Sequence, residues 1–286
     1  MRLLRRPFSE SPKPRPARGA DVAFAIEHEE NNKVEFDPKR DISRASWEGM
    51  KKSLEGLSGV NWKAFSDLAS SIFIVFPERR SELKLDEEAF EGMKRKLGEI
   101  RDEGYLDWWD FGNMAAHVCL LFPERRSELN LDKEVLDGMK KSLEEYRETD
   151  VFRFSFLARS FCVLFPDRTR ELILDNAIFE EIKKRKLEEF RGADWRTFNR
   201  IAANLLLLFP GRRDDLKLNE EAFEGMRREM EENRDRKNWW NFIIEAEGLS
   251  VLSAHRAQIV DGRIILTRTP PKLMKDPRPL PERSLL

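Results

Sequence analysis

Along most of this chain apolar residues advance in steps of three and four, the spacing of one helix face, in alternating segments of two kinds. In the first kind a polar residue (Ser43, Asp86, Asp132, Asp175 or Asn219) is preceded by an apolar one (Ile42, Leu85, Leu131, Leu174, Leu218). Another apolar residue stands four places after it (Trp47, Phe90, Leu136, Phe179, Phe223). The polar side chain can accept from an otherwise unpaired backbone N–H, and the two apolar residues close over it, which predicts five helix starts with hydrophobic staples. The face continues as Phe90, Met93, Leu97, Ile100 or Leu136, Met139, Leu143, Tyr146, with Lys, Arg and Glu opposite. These helices are expected on the outside.

Segments of the second kind follow caps at Asn61, Asp107, Asp150, Asp194 and Asn238. Their apolar frame is Trp62, Phe65, Leu68, Ala69, Ile72, Phe73, Phe76, and it returns at the same offsets from Trp108, from Val151 and from Trp195. Ile74-Val75, Leu120-Leu121, Val163-Leu164 and Leu207-Leu208 make the later half apolar nearly all round, which implies burial on more than one side. Each of these four segments ends at Phe-Pro, since proline lacks the N–H and suits the first position of a new turn. The phrase Phe76-Pro77-Glu78-Arg79-Arg80-Ser81-Glu82-Leu83 recurs from Phe122, Phe165 and Phe209, in steps of 46, 43 and 44 residues. It predicts a short third helix or turn between units.

Self-similarity at that period marks units that cannot bury their apolar faces alone and must stack. The expected fold is all-α: a right-handed-type α-solenoid of about five helical-hairpin repeats of roughly 44 residues each over residues 42–256. The fifth copy keeps Trp239, Phe242, Ala246 and Leu249 but places Glu245, Ser250 and Ser253 where the others are apolar, as a terminal cap with a polar outer side would. Around Asp261-Gly262, residues 257–267 read as a β-hairpin with a type I′ turn, and residues 21–41 as an extended or β segment.

Unit length and helix number resemble the HEAT and armadillo class of α-solenoids, although the HEAT consensus with its own proline, Asp and Arg placements is not matched. The Phe-Pro-Glu-Arg-Arg phrase followed by Leu-Asp and a Gly-Met-Lys helix, Phe76 to Lys94, is similar to tandem helical-repeat proteins of candidate-phylum bacteria. That second resemblance supplies no function. The solenoid class implies partner binding along an extended surface.

The net charge of -1 conceals basic ends. Residues 1–20, with Arg5, Arg6, Arg15 and Arg18, and residues 268–286 are Pro-rich basic arms, extended when free, on an acidic body. No apolar run reaches the roughly 18 residues of a membrane span, and the start MRLLRRPFSESPKPRP lacks a signal peptide's apolar stretch, so a cytoplasmic protein is expected. Cys119 and Cys162 occupy one repeat position and read as reduced core residues.

The chemistry-bearing residues are sparse. His28, His117 and His255 fall in different parts of the chain, with His28 in an acidic turn and His117 beside core Val118, and no nucleophile–base constellation or phosphate loop is read. Gly49, Gly92, Gly138 and Gly225 share one repeat position and read as close-packing contacts. Stacking would align Arg79, Arg80, Arg125, Arg126, Arg168, Arg170, Arg212 and Arg213 along one edge, able to track phosphates or an acidic partner. Each phrase also carries an acid three residues after its first Arg and follows a helix C-terminus, which gives the arginines a structural use. Trp109 and Trp240 lie off the core frame, facing a neighbouring unit or a binding surface. The expected function is therefore a non-enzymatic protein-binding scaffold or adaptor. The alternative is nucleic-acid or ribonucleoprotein binding through the arms and the arginine edge. No catalytic residue, metal, cofactor or small-molecule substrate is expected.

Overall fold

The computed structural model describes residues 36–102, 107–172, 174–254 and 256–267. The basic arms, with Arg5, Arg6, Arg15 and Arg18, lie outside the described residues, as do His28 and His255. Five successive helix pairs make up the body: α2 (Arg44–Leu57) with α3 (Trp62–Val75), α4 (Glu87–Asp102) with α5 (Trp108–Leu121), and α6 (Lys133–Thr149) with α7 (Val151–Leu164). In the fourth pair the outer element is α8 (Asn176–Ile182), a π-helical turn Lys183–Leu187 and α9 (Glu188–Phe190), followed by α10 (Trp195–Leu208). The fifth pair is α11 (Glu220–Asp235) with α12 (Trp239–Ser253). A short α1 (Pro38–Asp41), capped by Asp37, precedes them, so this part of the segment expected to be extended is helical: Asp37 accepts from Lys39 N–H, and Pro38 at the first position presets the turn.

All ten caps expected from the pattern accept a backbone N–H two or three residues on, for example Ser43 from Ser46, Asp132 from Val135 and Asp107 from Trp109. Phe76, Phe122, Phe165 and Phe209 end the second helices, and the prolines after them open 3-10 turns at Pro77–Glu82, Pro123–Leu129, Pro166–Glu171 and Pro210–Arg212. Three of these Phe rings meet the staple aromatic of their own pair edge-on at 5.3 Å: Phe76 on Trp47, Phe122 on Phe90 and Phe209 on Phe179.

The packing order differs from an open stack. The second helices α3, α5, α7, α10 and α12 each pack on the next, and α12 packs back on α2 and α3, so the series closes into a cycle. One repeated fit makes every joint but one. A Cβ on Gly92 or Gly138 would stand 2.1 Å from the indole of Trp62 or Trp108, and one on Gly225 would stand 2.2 Å from Trp195. Only a residue without a side chain lets each ring lie on the next outer helix. Gly49 on the first outer helix receives Trp239 of the last inner helix in the same way, at 2.3 Å. In the remaining joint both partners differ together, Val151 holding the Trp place and Glu181 the Gly place.

The fifth pair is accordingly no cap. Glu245 and Ser250 of α12 are 0% and 1% exposed, because the helix is covered by α10 and α11 on one side and by the first pair on the other. The core runs continuously through all five pairs, with Ala69, Ala115, Ala158, Ala202 and Ala246 fully buried at one repeat position.

After α12 come β1 (Arg256–Val260) and β2 (Arg263–Thr267), antiparallel with Val260 opposite Arg263. Asp261 and Gly262 both have positive φ, as a type I′ turn requires. A Cβ on Gly262 would lie 2.6 Å from the Val163 carbonyl, so the turn rests on the C-terminal end of α7. Among the described residues no helix is long and apolar enough to cross a membrane.

Candidate functional site

The apolar frame of each inner helix occupies its first, fourth, seventh, eighth, eleventh and twelfth positions, leaving a more polar stripe at the second, sixth and tenth. In the closed cycle these stripes converge. They line a cavity of about 440 Å³ together with adjoining ninth- and thirteenth-position residues. α3 contributes Lys63, Asp67 and Ser71, α5 Trp109, Asn113 and His117, and α7 Phe156, Arg159 and Ser160. From α10 come Arg196, Arg200 and Asn204, and from α12 Trp240, Ile244 and Glu247, with Leu120 and Val163 further along α5 and α7.

Side chains at like levels meet across the cycle, so the inner helices run in the same sense. Near their starts Lys63 Nζ lies 2.6 Å from Asp110 Oδ1, and Arg196 donates to Asn241 Oδ1. Deeper, Arg159 donates to Glu247 Oε1 at 2.6 Å and to Asn204 Oδ1 at 3.3 Å, while the Ser71 hydroxyl donates to Glu247 Oε2 at 2.6 Å. Burial works against the Glu247 charge, but Arg159 and the Ser71 hydroxyl outweigh it and hold this carboxyl below the ordinary range. Ser160 and Asn113 bond at 2.8 Å.

Two groups stand ready for chemistry. His117 Nδ1 lies 2.9 Å from Asp67 Oδ1, so an ionised Asp67 accepts from Nδ1–H and leaves the Nε2 lone pair on a ring that lines the cavity. Among the described residues Nε2 has no hydrogen-bond partner. The second is Arg200, whose guanidinium stands over Phe156 at 4.7 Å and Phe152 at 5.6 Å and reaches no carboxylate or carbonyl among the described residues. Burial, and then Arg196 one turn away, lower its pKa from the usual guanidinium value. Two further donors in the wall are buried without partners, Asn204 Nδ2 and Trp109 Nε1.

The residues picked from the sequence are dispersed. Arg79, Arg125 and Arg212 lie over Trp47, Phe90 and Phe179 at 4.5, 3.5 and 4.2 Å. Arg125 also bonds Glu87, Glu91 and Glu128, holding the Glu128 carboxyl below its ordinary range, and Arg212 bonds Asn176, Glu180 and Asp215. Arg168 pairs with Glu171 at 2.7 Å. Arg80, Arg126 and Arg213 donate to the Leu121, Leu164 and Ala254 carbonyls at the end of the next inner helix. Thr169 takes that place in the third phrase, and Arg170 beside it is exposed. Trp109 and Trp240 line the cavity. Burial pushes the Cys119 and Cys162 thiols up to about 11 and about 12, leaving them unreactive.

Sequence reasoning missed Asp67, Arg159, Arg196, Arg200, Asn204 and Glu247. The available signal was that each is a polar residue on an otherwise apolar helix, at a place where the copies disagree. No protein family model, curated protein or solved structure matches this chain.

Proposed function

We propose that the chain binds a small organic molecule in the cavity lined by its inner helices. The observation that carries this reading is Asn204, a side chain 1% exposed whose Nδ2 donor has no partner, set in the wall of a space large enough for a ligand. A buried unsatisfied donor costs about 1–3 kcal/mol, and a ligand acceptor removes that cost. Binding is proposed without a reaction, because no hydroxyl or thiol among the described residues is hydrogen-bonded to the open Nε2 of His117.

Tandem copies of one ancestral hairpin are supported by the shared frame, the ten caps and the repeated Gly–Trp joints, with the HEAT- and armadillo-like series closed instead of open. A scaffold role drew on a long surface and an arginine edge. Closure shortens that surface, and most of the arginines are engaged within the body, so a site between the inner helices is the better-supported function.

Native mass spectrometry of the chain purified from its native cells tests the proposal, comparing wild type with Ile244→Trp, which fills the cavity. A retained small molecule present in wild type and lost in the variant supports it. Wild-type protein that carries none, and whose melting temperature no compound in a metabolite library raises, defeats it.

A further inference from the structure

The charges around the cavity do not cancel, and the remainder points to the ligand. The Asp110 carboxylate is met by Lys63 and the Glu247 carboxylate by Arg159, while the Asp67 carboxylate accepts from His117, whose ring adds no fixed charge. Lys63, Arg159, Arg196 and Arg200 thus face three carboxylates, and the one positive charge in excess falls on α10, with Arg196 and Arg200. Arg196 bonds only a neutral amide, and Arg200 has an aromatic face beneath it and no anion against it. Among the longer-range influences on Arg200, the cations Arg196 and Arg159 oppose the anions Glu247 and Asp67, so the surroundings supply no dominant counter-charge.

The surplus is also ordered. Arg196, Arg200 and Asn204 fall four residues apart on α10, a donor row about 12 Å long down one wall. Asn204 ends that row with its unpartnered Nδ2, and its Oδ1 is already taken by Arg159. A cationic ligand would face two guanidiniums and three carboxylates already engaged. A neutral one would leave Arg200 as it stands. The other walls present flat apolar faces, Trp109, Phe156 and Trp240.

Resting on the binding reading above, we propose that the ligand is an organic oxyanion on a planar apolar body. The oxyanion lies against Arg200 and Asn204, and the body lies among Trp109, Phe156 and Trp240. Carboxylate and phosphate share this chemistry, since a guanidinium fork presents two parallel N–H donors to either.

Isothermal titration of the full chain with phenyl phosphate, benzoate, benzyl alcohol, benzylammonium and inorganic phosphate tests the inference. At least one aromatic anion is expected to bind tenfold or more tightly than benzyl alcohol, with benzylammonium weakest and inorganic phosphate weaker than phenyl phosphate. The order of phenyl phosphate and benzoate identifies the head group. Arg200→Gln should erase the tenfold advantage of the aromatic anions over benzyl alcohol, and the wild-type order alone decides the matter if that variant misfolds. Benzyl alcohol or benzylammonium binding as tightly as the anions overturns the charge assignment while the cavity still binds. No binding of any probe at millimolar concentration overturns both readings.

Discussion

The indole of Trp239 lies on Gly49, so the last inner helix meets the first outer helix through the same fit that joins Trp62 to Gly92 and Trp108 to Gly138. In an open stack Gly49 would face solvent, and a methyl group there would be harmless or would favour the helix. In the closed cycle it collides with a ring. Gly49→Ala is expected to destabilise the chain by about 1–3 kcal/mol, as overpacking of a tight contact does, and Gly92→Ala by a similar amount. Urea unfolding of the two variants checks this. A Gly49→Ala chain as stable as wild type beside a weakened Gly92→Ala chain would show that the ends do not meet.

Helix positions, caps and the Phe-Pro turns were legible because they answer to local rules: a cap needs an acceptor, a buried stripe needs apolar residues every three or four places, and proline ends a helix. Closure was harder to read, since the joint between copies is the same whether the series ends or returns on itself. Its trace was present nonetheless. Gly49 and Trp239 keep the joint residues at the two ends, where an open stack has no use for them, and Val151 and Glu181 depart from the pattern in a single joint. The cavity escaped for a different reason. Repetition marks the residues the copies share, such as Arg125 and Arg212, and shared residues build the frame. Arg200, Asn204 and Glu247 sit where each copy faces a common interior and need not resemble the others.

Glu245 occupies the seventh position of α12, where the other inner helices carry Leu68, Met114, Leu157 and Ile201. It accepts from Asn233 at 3.0 Å through one oxygen while the other has no partner, and burial pushes its pKa up to about 8. The folded state therefore keeps a proton that the unfolded chain releases near 4.5. Stability from this group is complete below that value and falls by about 1.4 kcal/mol per pH unit as pH rises toward about 8, where the loss levels off. Glu245→Met should flatten this slope and raise the melting temperature most at alkaline pH. Equal pH dependence in the two proteins would show that Glu245 ionises freely in the fold.

Arg126 donates to the Leu164 carbonyl at the end of α7, where unpaired carbonyls and the helix dipole favour a cation. Arg126→Ala is expected to cost about 1 kcal/mol, the net worth of one such hydrogen bond, and an equal change at Thr169, whose hydroxyl donates to the nearby Phe165 and Pro166 carbonyls and reaches no neighbouring unit, should cost less. Denaturant midpoints separate the two. Were the arginine edge held free for phosphates, removing Arg126 would leave the midpoint where it was and lower only nucleic-acid affinity.

Arg159 and Arg200 both project into the cavity from neighbouring helices, yet their removal should have opposite signs. Arg159 neutralises Glu247, whose carboxylate is 8% exposed as a residue and has the Ser71 hydroxyl as its remaining partner. Arg159→Met strands that charge and is expected to cost about 3–5 kcal/mol. Arg200 has no carboxylate in contact, so Arg200→Met exchanges a partly desolvated charge for a chain that packs on Phe156, a change expected to stabilise the free protein by about 1 kcal/mol. Thermal melts of both variants without added ligand decide between the two roles. A pair of equal losses would mean that Arg200 already has its counter-charge inside the protein, and the surplus on which an anionic ligand depends would vanish with it.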